Sequence, residues 1–115
     1  MMNIELTRVK VKNGKSSKVD EWLELLNKEM DKVLLTLEAE KMYVETIFRE
    51  FTESGEFLYW YSIQGDGGAS LHESDFEIDK LHIAYWEECI DEDYEPVHMK
   101  KKVSMIQDKV LAALQ

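Results

Sequence analysis

Apolar and polar positions alternate in two mid-chain runs. Lys41 to Glu50 reads K-M-Y-V-E-T-I-F-R-E, and Glu56 to Gln64 reads E-F-L-Y-W-Y-S-I-Q. Alternation rich in β-branched and aromatic residues marks strands, and Thr52-Glu53-Ser54-Gly55 between them is a hairpin turn. A turn of that length sets Phe48 opposite Tyr59, Thr46 opposite Tyr61 and Val44 opposite Ile63. Ile4 to Val11 (I-E-L-T-R-V-K-V) alternates in the same way and is followed by a turn at Lys12-Asn13-Gly14-Lys15. From Ser16 or Ser17 the period changes. Val19, Trp22, Leu23, Leu26, Met30, Val33, Leu34 and Leu37 recur three and four apart, which predicts one amphipathic helix ending between Thr36 and Ala39. Ser17 with Asp20 approximates a capping box at its start, and Ser74 with Glu77 makes another. The second helix then carries Ile78, Leu81, His82, Tyr85, Trp86 and Cys89 on one face. Beyond Pro96, Val97 to Ile106 reads as a fourth strand and Asp108 to Leu114 as a short terminal helix.

The order βαββαβ, over a single domain spanning 1–115, predicts an α+β, ferredoxin-like fold. That fold is a four-stranded antiparallel sheet with two helices on one face, its first and third strands in the middle. The fourth strand then lies at an edge, where Lys100, Lys101 and Lys102 discourage pairing with other chains. A helix-covered face must be apolar. This favours Met42, Val44, Thr46, Phe48, Phe57, Tyr59, Tyr61 and Ile63 as the inner face. The outer face then holds Tyr43, Glu45, Ile47, Arg49, Leu58, Trp60, Ser62 and Gln64. Ile47, Leu58 and Trp60 are too much apolar surface to leave in water. No third layer remains to cover them, so a homodimer packed sheet to sheet is expected. A slip of one residue exchanges the two faces.

Charge narrows the partners. With 14 basic and 24 acidic residues the net charge is −10, which repels nucleic acid and anionic membranes. No run approaches the ~18 apolar residues of a membrane span. Met1 to Lys10 alternates charge with apolarity and has no signal-peptide core. One cysteine, Cys89, excludes an intramolecular disulfide. These features point to a cytoplasmic protein. Glu87, Glu88 and Asp91 beside Cys89 work against a reactive thiolate.

Candidate chemistry is sparse. His82 lies between Ile78 and Trp86 on the helix stripe, with Asp79 one turn earlier, and is the candidate catalytic residue. An Asp-oriented histidine suits a general base or a ligand to metal or haem. The plainer reading is a helix histidine bonded to a neighbour. Tyr43, Glu45, Arg49 and Trp60 share one strand face as a candidate pocket or interface. Glu45 with Arg49 reads either as a ligand clamp or as an ion pair between subunits. His72, His82 and His98 fall in no metal-binding motif, so neither metal nor cofactor is expected. Gly65-Asp66-Gly67-Gly68 lacks the spacing of a phosphate loop. The acidic run from Glu87 to Glu95 lacks that of a calcium loop and reads as a solvated face.

K-M-Y-V-E-T-I-F-R-E, Y-W-Y-S-I-Q-G, E-I-D-K-L-H and Y-W-E-E-C-I-D, with I-E-L-T-R-V-K-V-K-N-G-K-S at the start, resemble an uncharacterised bacterial family of small acidic proteins, a domain of unknown function. The resemblance runs from Asn3 to about Ile106 and implies no particular activity. The element order is similar to the dimeric α/β-barrel superfamily, which includes cofactor-independent monooxygenases of antibiotic biosynthesis and haem-degrading oxygenases. The haem-degrading branch uses an Asn on the first strand, a Trp on the third and a His on the second helix. Trp60 and His82 fall on matching elements, with Asn3 or Thr7 at the first-strand position. The face assignment above, however, separates Trp60 from His82 within one subunit. Three functions follow as expectations: binding of a small apolar or aromatic molecule by a homodimer, a cofactor-independent monooxygenase or isomerase, and a protein-interaction module using the acidic surface.

Overall fold

Backbone pairing follows the predicted alternation through the first three strands. The computed structural model describes residues 2–114, apart from the Glu73 side chain. Strands β1 (Asn3–Lys10), β2 (Met42–Thr52), β3 (Gly55–Gln64) and β4 (Val97–His98) form one antiparallel sheet in the order β2-β3-β1-β4. The first and third strands are central, as the ferredoxin-like arrangement requires. Thr52 pairs with Gly55 at the turn, and Phe48, Thr46 and Val44 lie opposite Tyr59, Tyr61 and Ile63, the register expected from the turn length. Helices α1 (Ser16–Lys28), α2 (Met30–Glu40) and α3 (Glu77–Cys89) lie between strands. A 3-10 turn at Leu71–Glu73 precedes α3, and α4 (Asp108–Ala113) follows the sheet.

The order differs from a plain βαββαβ in two places. The predicted first helix is broken at Glu29; past the break Val33 and Leu37 of the stripe still face inward, whereas Leu34 is 55% exposed. Neither Pro nor Gly marks the break in the sequence. The predicted fourth strand, Val97 to Ile106, pairs only at Val97 and His98. Lys100, Lys101 and Lys102 interrupt its alternation just beyond and are exposed, leaving no apolar face to hold a longer strand against the edge.

The sheet faces are the reverse of the expectation. Leu58 is fully buried with Val9, Val19, Trp22 and Cys89, and Ile47 and Trp60 pack against that cluster. Phe48 stands on the outer face, 57% exposed. The inner face tolerates its polar members because each is accommodated. Arg49 donates to the Ser16 carbonyl (2.9 Å) and hydroxyl (3.0 Å), to Glu56 (2.6 Å) and to Asp20. It thereby ties β2 to the start of α1. Ile47, Leu58 and Trp60 are therefore core residues and give no reason for a dimer.

Candidate functional site

The inverted faces bring Trp60 and His82 together. Their ring centroids are 5.8 Å apart, and both line a cavity of about 360 Å³ between the sheet and α3. β1 contributes Glu5, Thr7 and Val9, β2 contributes Met42 and Glu45, and β3 contributes Trp60 and Ser62. α3 adds His82, Ile83 and Trp86, and Leu71 and His72 close one side. A β-bulge prepares this wall. The register shifts between Met42 and Val44, so Met42 pairs with Gln64 on the inner face and Tyr43 is the extra residue. An extra residue at a bulge re-aims its neighbours.

His82 is held from behind. The fully buried Trp22 indole donates to His82 Nδ1 at 3.0 Å. An indole N–H only donates, so Nδ1 must carry a lone pair. This bond assigns His82 as a neutral ring protonated at Nε2. Burial holds its pKa below the usual histidine value, and the Asp79 charge opposes that shift. Asp79, the orienting partner expected from sequence, is not the group that orients the ring. With Nδ1 taken by the indole, Nε2 is the ring nitrogen left to face the cavity.

Carboxylates gather beside it. Glu45, Glu40, Asp79 and His82 share a second cavity of about 60 Å³, walled by Leu26, Val33 and Leu37. Burial raises the Glu45 pKa, a hydrogen bond from the Trp60 side chain offsets part of the rise, and the Asp79 charge adds to it. Glu40 is pushed up to about 7, first by burial and then by Asp79 and Glu45. Like charges around one small space disfavour full ionisation. Leu71, Glu45 and His82 border both cavities.

The segment carrying Leu71 is pinned to the end of α2. Gly65 N–H donates to the Lys41 carbonyl (2.8 Å) and Ala69 N–H to the Ala39 carbonyl (2.9 Å). Gln64 Nε2 donates to the Glu40 carbonyl at 3.1 Å. Gly68 sits so close to that carbonyl that a Cβ would lie 1.9 Å from its oxygen. Only glycine fits there.

Of the residues singled out from sequence, Glu45, Trp60 and His82 share the cavity, and Thr7 joins them. Arg49 does not; it is consumed by the ties to α1. Tyr43 faces a separate groove beneath α2, its hydroxyl against Gly65. Asn3 lies outside the cavity wall. Sequence reasoning missed Glu5, Glu40, Ser62, Leu71 and His72. Ser62 and Glu45 had a visible signal, since they share one alternating face with Trp60. Among the described residues, no three of His, Cys, Asp and Glu converge as metal ligands.

The crystal structure of L-rhamnose mutarotase FA22100 from Formosa agariphila is similar at a TM-score of 0.54 and 18% sequence identity. The match covers 91% of this chain and 99% of that one. The likeness is one of fold: a four-stranded antiparallel sheet with helices. No curated protein matches the chain. The model of DUF6176, a family of unknown function, matches residues 2–112, and the chain belongs to that family.

Proposed function

We propose that the cavity binds a small molecule and that Glu45 moves a proton on it while neutral His82 steadies the charge that develops. This is isomerase chemistry, the alternative named beside monooxygenation, and it needs no metal or redox group. One observation carries it: the Trp22 bond fixes His82 as an Nε2–H donor in the same cavity as a carboxyl held above its usual range. A neutral imidazole beside a carboxylate is a recognised pairing for such steps. In a mutarotation, the activity named for the structural neighbour, Glu45 would take the anomeric hydroxyl proton as the ring carbon–oxygen bond breaks. The ring oxygen, hydrogen-bonded by His82 Nε2–H, would receive that proton. Closure on the other face of the carbonyl reverses both transfers, so protons balance without a reservoir. Indoles and carboxylates in one cavity also suit a ring with an apolar face and hydroxyl edges.

The assay is NMR exchange between anomers over a panel of neutral and amino aldoses at pH 7. We expect one member to interconvert faster than in buffer, and Glu45→Gln to slow it by about a hundredfold. No acceleration for any member would sink the catalytic reading. A homodimer remains part of this reading, now through the outer sheet face, where Phe48 provides exposed apolar surface.

A further inference from the structure

Charge is lopsided around the two cavities. Glu5 stands at the mouth of the larger and Glu45 in its wall; Glu40 and Asp79 join Glu45 around the smaller. Among the described residues, no lysine or arginine lines either space. Asp79, 6% exposed, borders the smaller cavity. Buried carboxylates are ordinarily paired or hydrogen-bonded. Among the described residues, no lysine or arginine stands in either cavity wall to supply a partner charge.

Two indoles share the wall of the larger cavity with Glu45. Trp60 and Trp86 meet at 5.3 Å between centroids and 66° between planes, so the cavity borders two indoles set at an angle. An indole face attracts a cation within ~6 Å, and rings at an angle surround an ammonium better than one ring does. A metal ion would need converging ligands, which the described residues do not offer. An ammonium needs only acceptors and π faces. We propose that the larger cavity is an ammonium site, taking a small amine seated against Trp60 and Trp86 with its positive charge toward Glu45. The proposal rests on the reading that this cavity holds the ligand, and it narrows that ligand to an amino-bearing molecule rather than a phosphorylated or carboxylated one.

Three probes of one shape test it: benzylammonium, benzyl alcohol and benzoate. Binding is read from the indole ¹H–¹⁵N signals of Trp60 and Trp86 and from intrinsic fluorescence. Benzylammonium should saturate these signals with a dissociation constant about tenfold below that of benzyl alcohol, and benzoate should not saturate them. Glu45→Gln keeps the shape of the side chain and should remove most of the preference, leaving benzyl alcohol within about twofold of the parent protein. Asp79→Asn is the second variant and should weaken benzylammonium in the same direction; melting curves establish that both fold. Equal or better binding of benzoate or benzyl alcohol overturns the proposal. So does the absence of any benzylammonium response up to about 20 mM, a concentration beyond useful affinity. Loss of anomer exchange with the amine preference intact would remove the catalytic reading alone, and the converse would remove this one alone.

Discussion

Trp22→Phe separates the packing role of that side chain from its hydrogen bond. The indole is fully buried, stacked on Tyr85 (6.2 Å, 3°) and tilted against Trp60 at 5.7 Å. Phenylalanine preserves much of that contact and removes the N–H aimed at His82 Nδ1. The bond exists only while the ring is neutral, so losing it makes protonation easier. A net bond worth ~0.5–1.5 kcal/mol, at about 1.4 kcal/mol per pKa unit, predicts a rise of roughly half to one unit in the His82 pKa. Burial, the larger cause of the depression, remains and keeps the variant from overshooting. Smaller volume and an unpaired Nδ1 should together cost about 1–3 kcal/mol of stability.

Two measurements read these effects. Long-range ¹H–¹⁵N spectra of His82 across pH 4 to 8 give tautomer and pKa, and urea denaturation gives stability. The parent ring should titrate below its ordinary 6.5 and carry its proton at Nε2. The sign for stability follows from the depressed value. Between the folded pKa and 6.5 the unfolded chain binds a proton that the folded chain does not, so this contribution is lost as pH falls through that window. In Trp22→Phe the window narrows and the acid-side loss shrinks. A parent ring protonated at Nδ1, or a variant with unchanged tautomer and pKa, would refute the reasoning.

Glu40 carries the opposite slope. Its folded pKa of about 7 means its contribution is complete below the ordinary 4.5 and lost as pH rises through 7. Glu40→Gln should therefore gain on the parent protein between pH 5 and 8, as melting temperatures would report; a constant difference would count against a proton held there. Gly68→Ala drives a methyl into the Glu40 carbonyl and should displace the 65–70 segment, with raised proteolysis at that loop as the readout and an unchanged cleavage pattern as the contrary result. Phe48→Lys should shift the mass in sedimentation equilibrium from a dimer toward the 13.5 kDa chain without changing the melting curve at low concentration, and a parent protein already at 13.5 kDa would end the dimer reading.

The hairpin register was legible because the turn length counts residues directly. The choice of face was not. The rule that covered faces are apolar points the wrong way, because Glu45, Arg49 and Ser62 count against the face they occupy. Those polar positions are the exception that a cavity and an anchored helix create: Arg49 is satisfied by Ser16, Asp20 and Glu56, and Glu45 borders open space. Phe48, Tyr59 and Tyr61 make the wrong face look more apolar. His82 was identifiable from its stripe, whereas its partner was not. Trp22 lies 60 residues away on another helix, and only tertiary packing brings its N–H to the ring. Glu40 gave no signal either, since a glutamate ending a helix is ordinarily a solvated residue.

The bulge at Tyr43 also bears on how relatives are compared. Side-chain direction in a strand depends on the parity of residue number, and one extra residue resets that parity. Upstream of Tyr43 the even-numbered Met42 faces the cavity; downstream the odd-numbered Glu45 and Ile47 face inward. A relative lacking the extra residue, aligned without a gap at this point, would have its cavity residue matched to a bulged or outward one. Its ligand wall would then look substituted when only the numbering had slipped. Placing gaps at the bulge before tallying variation at positions 42 and 45 keeps inward residues matched with inward residues.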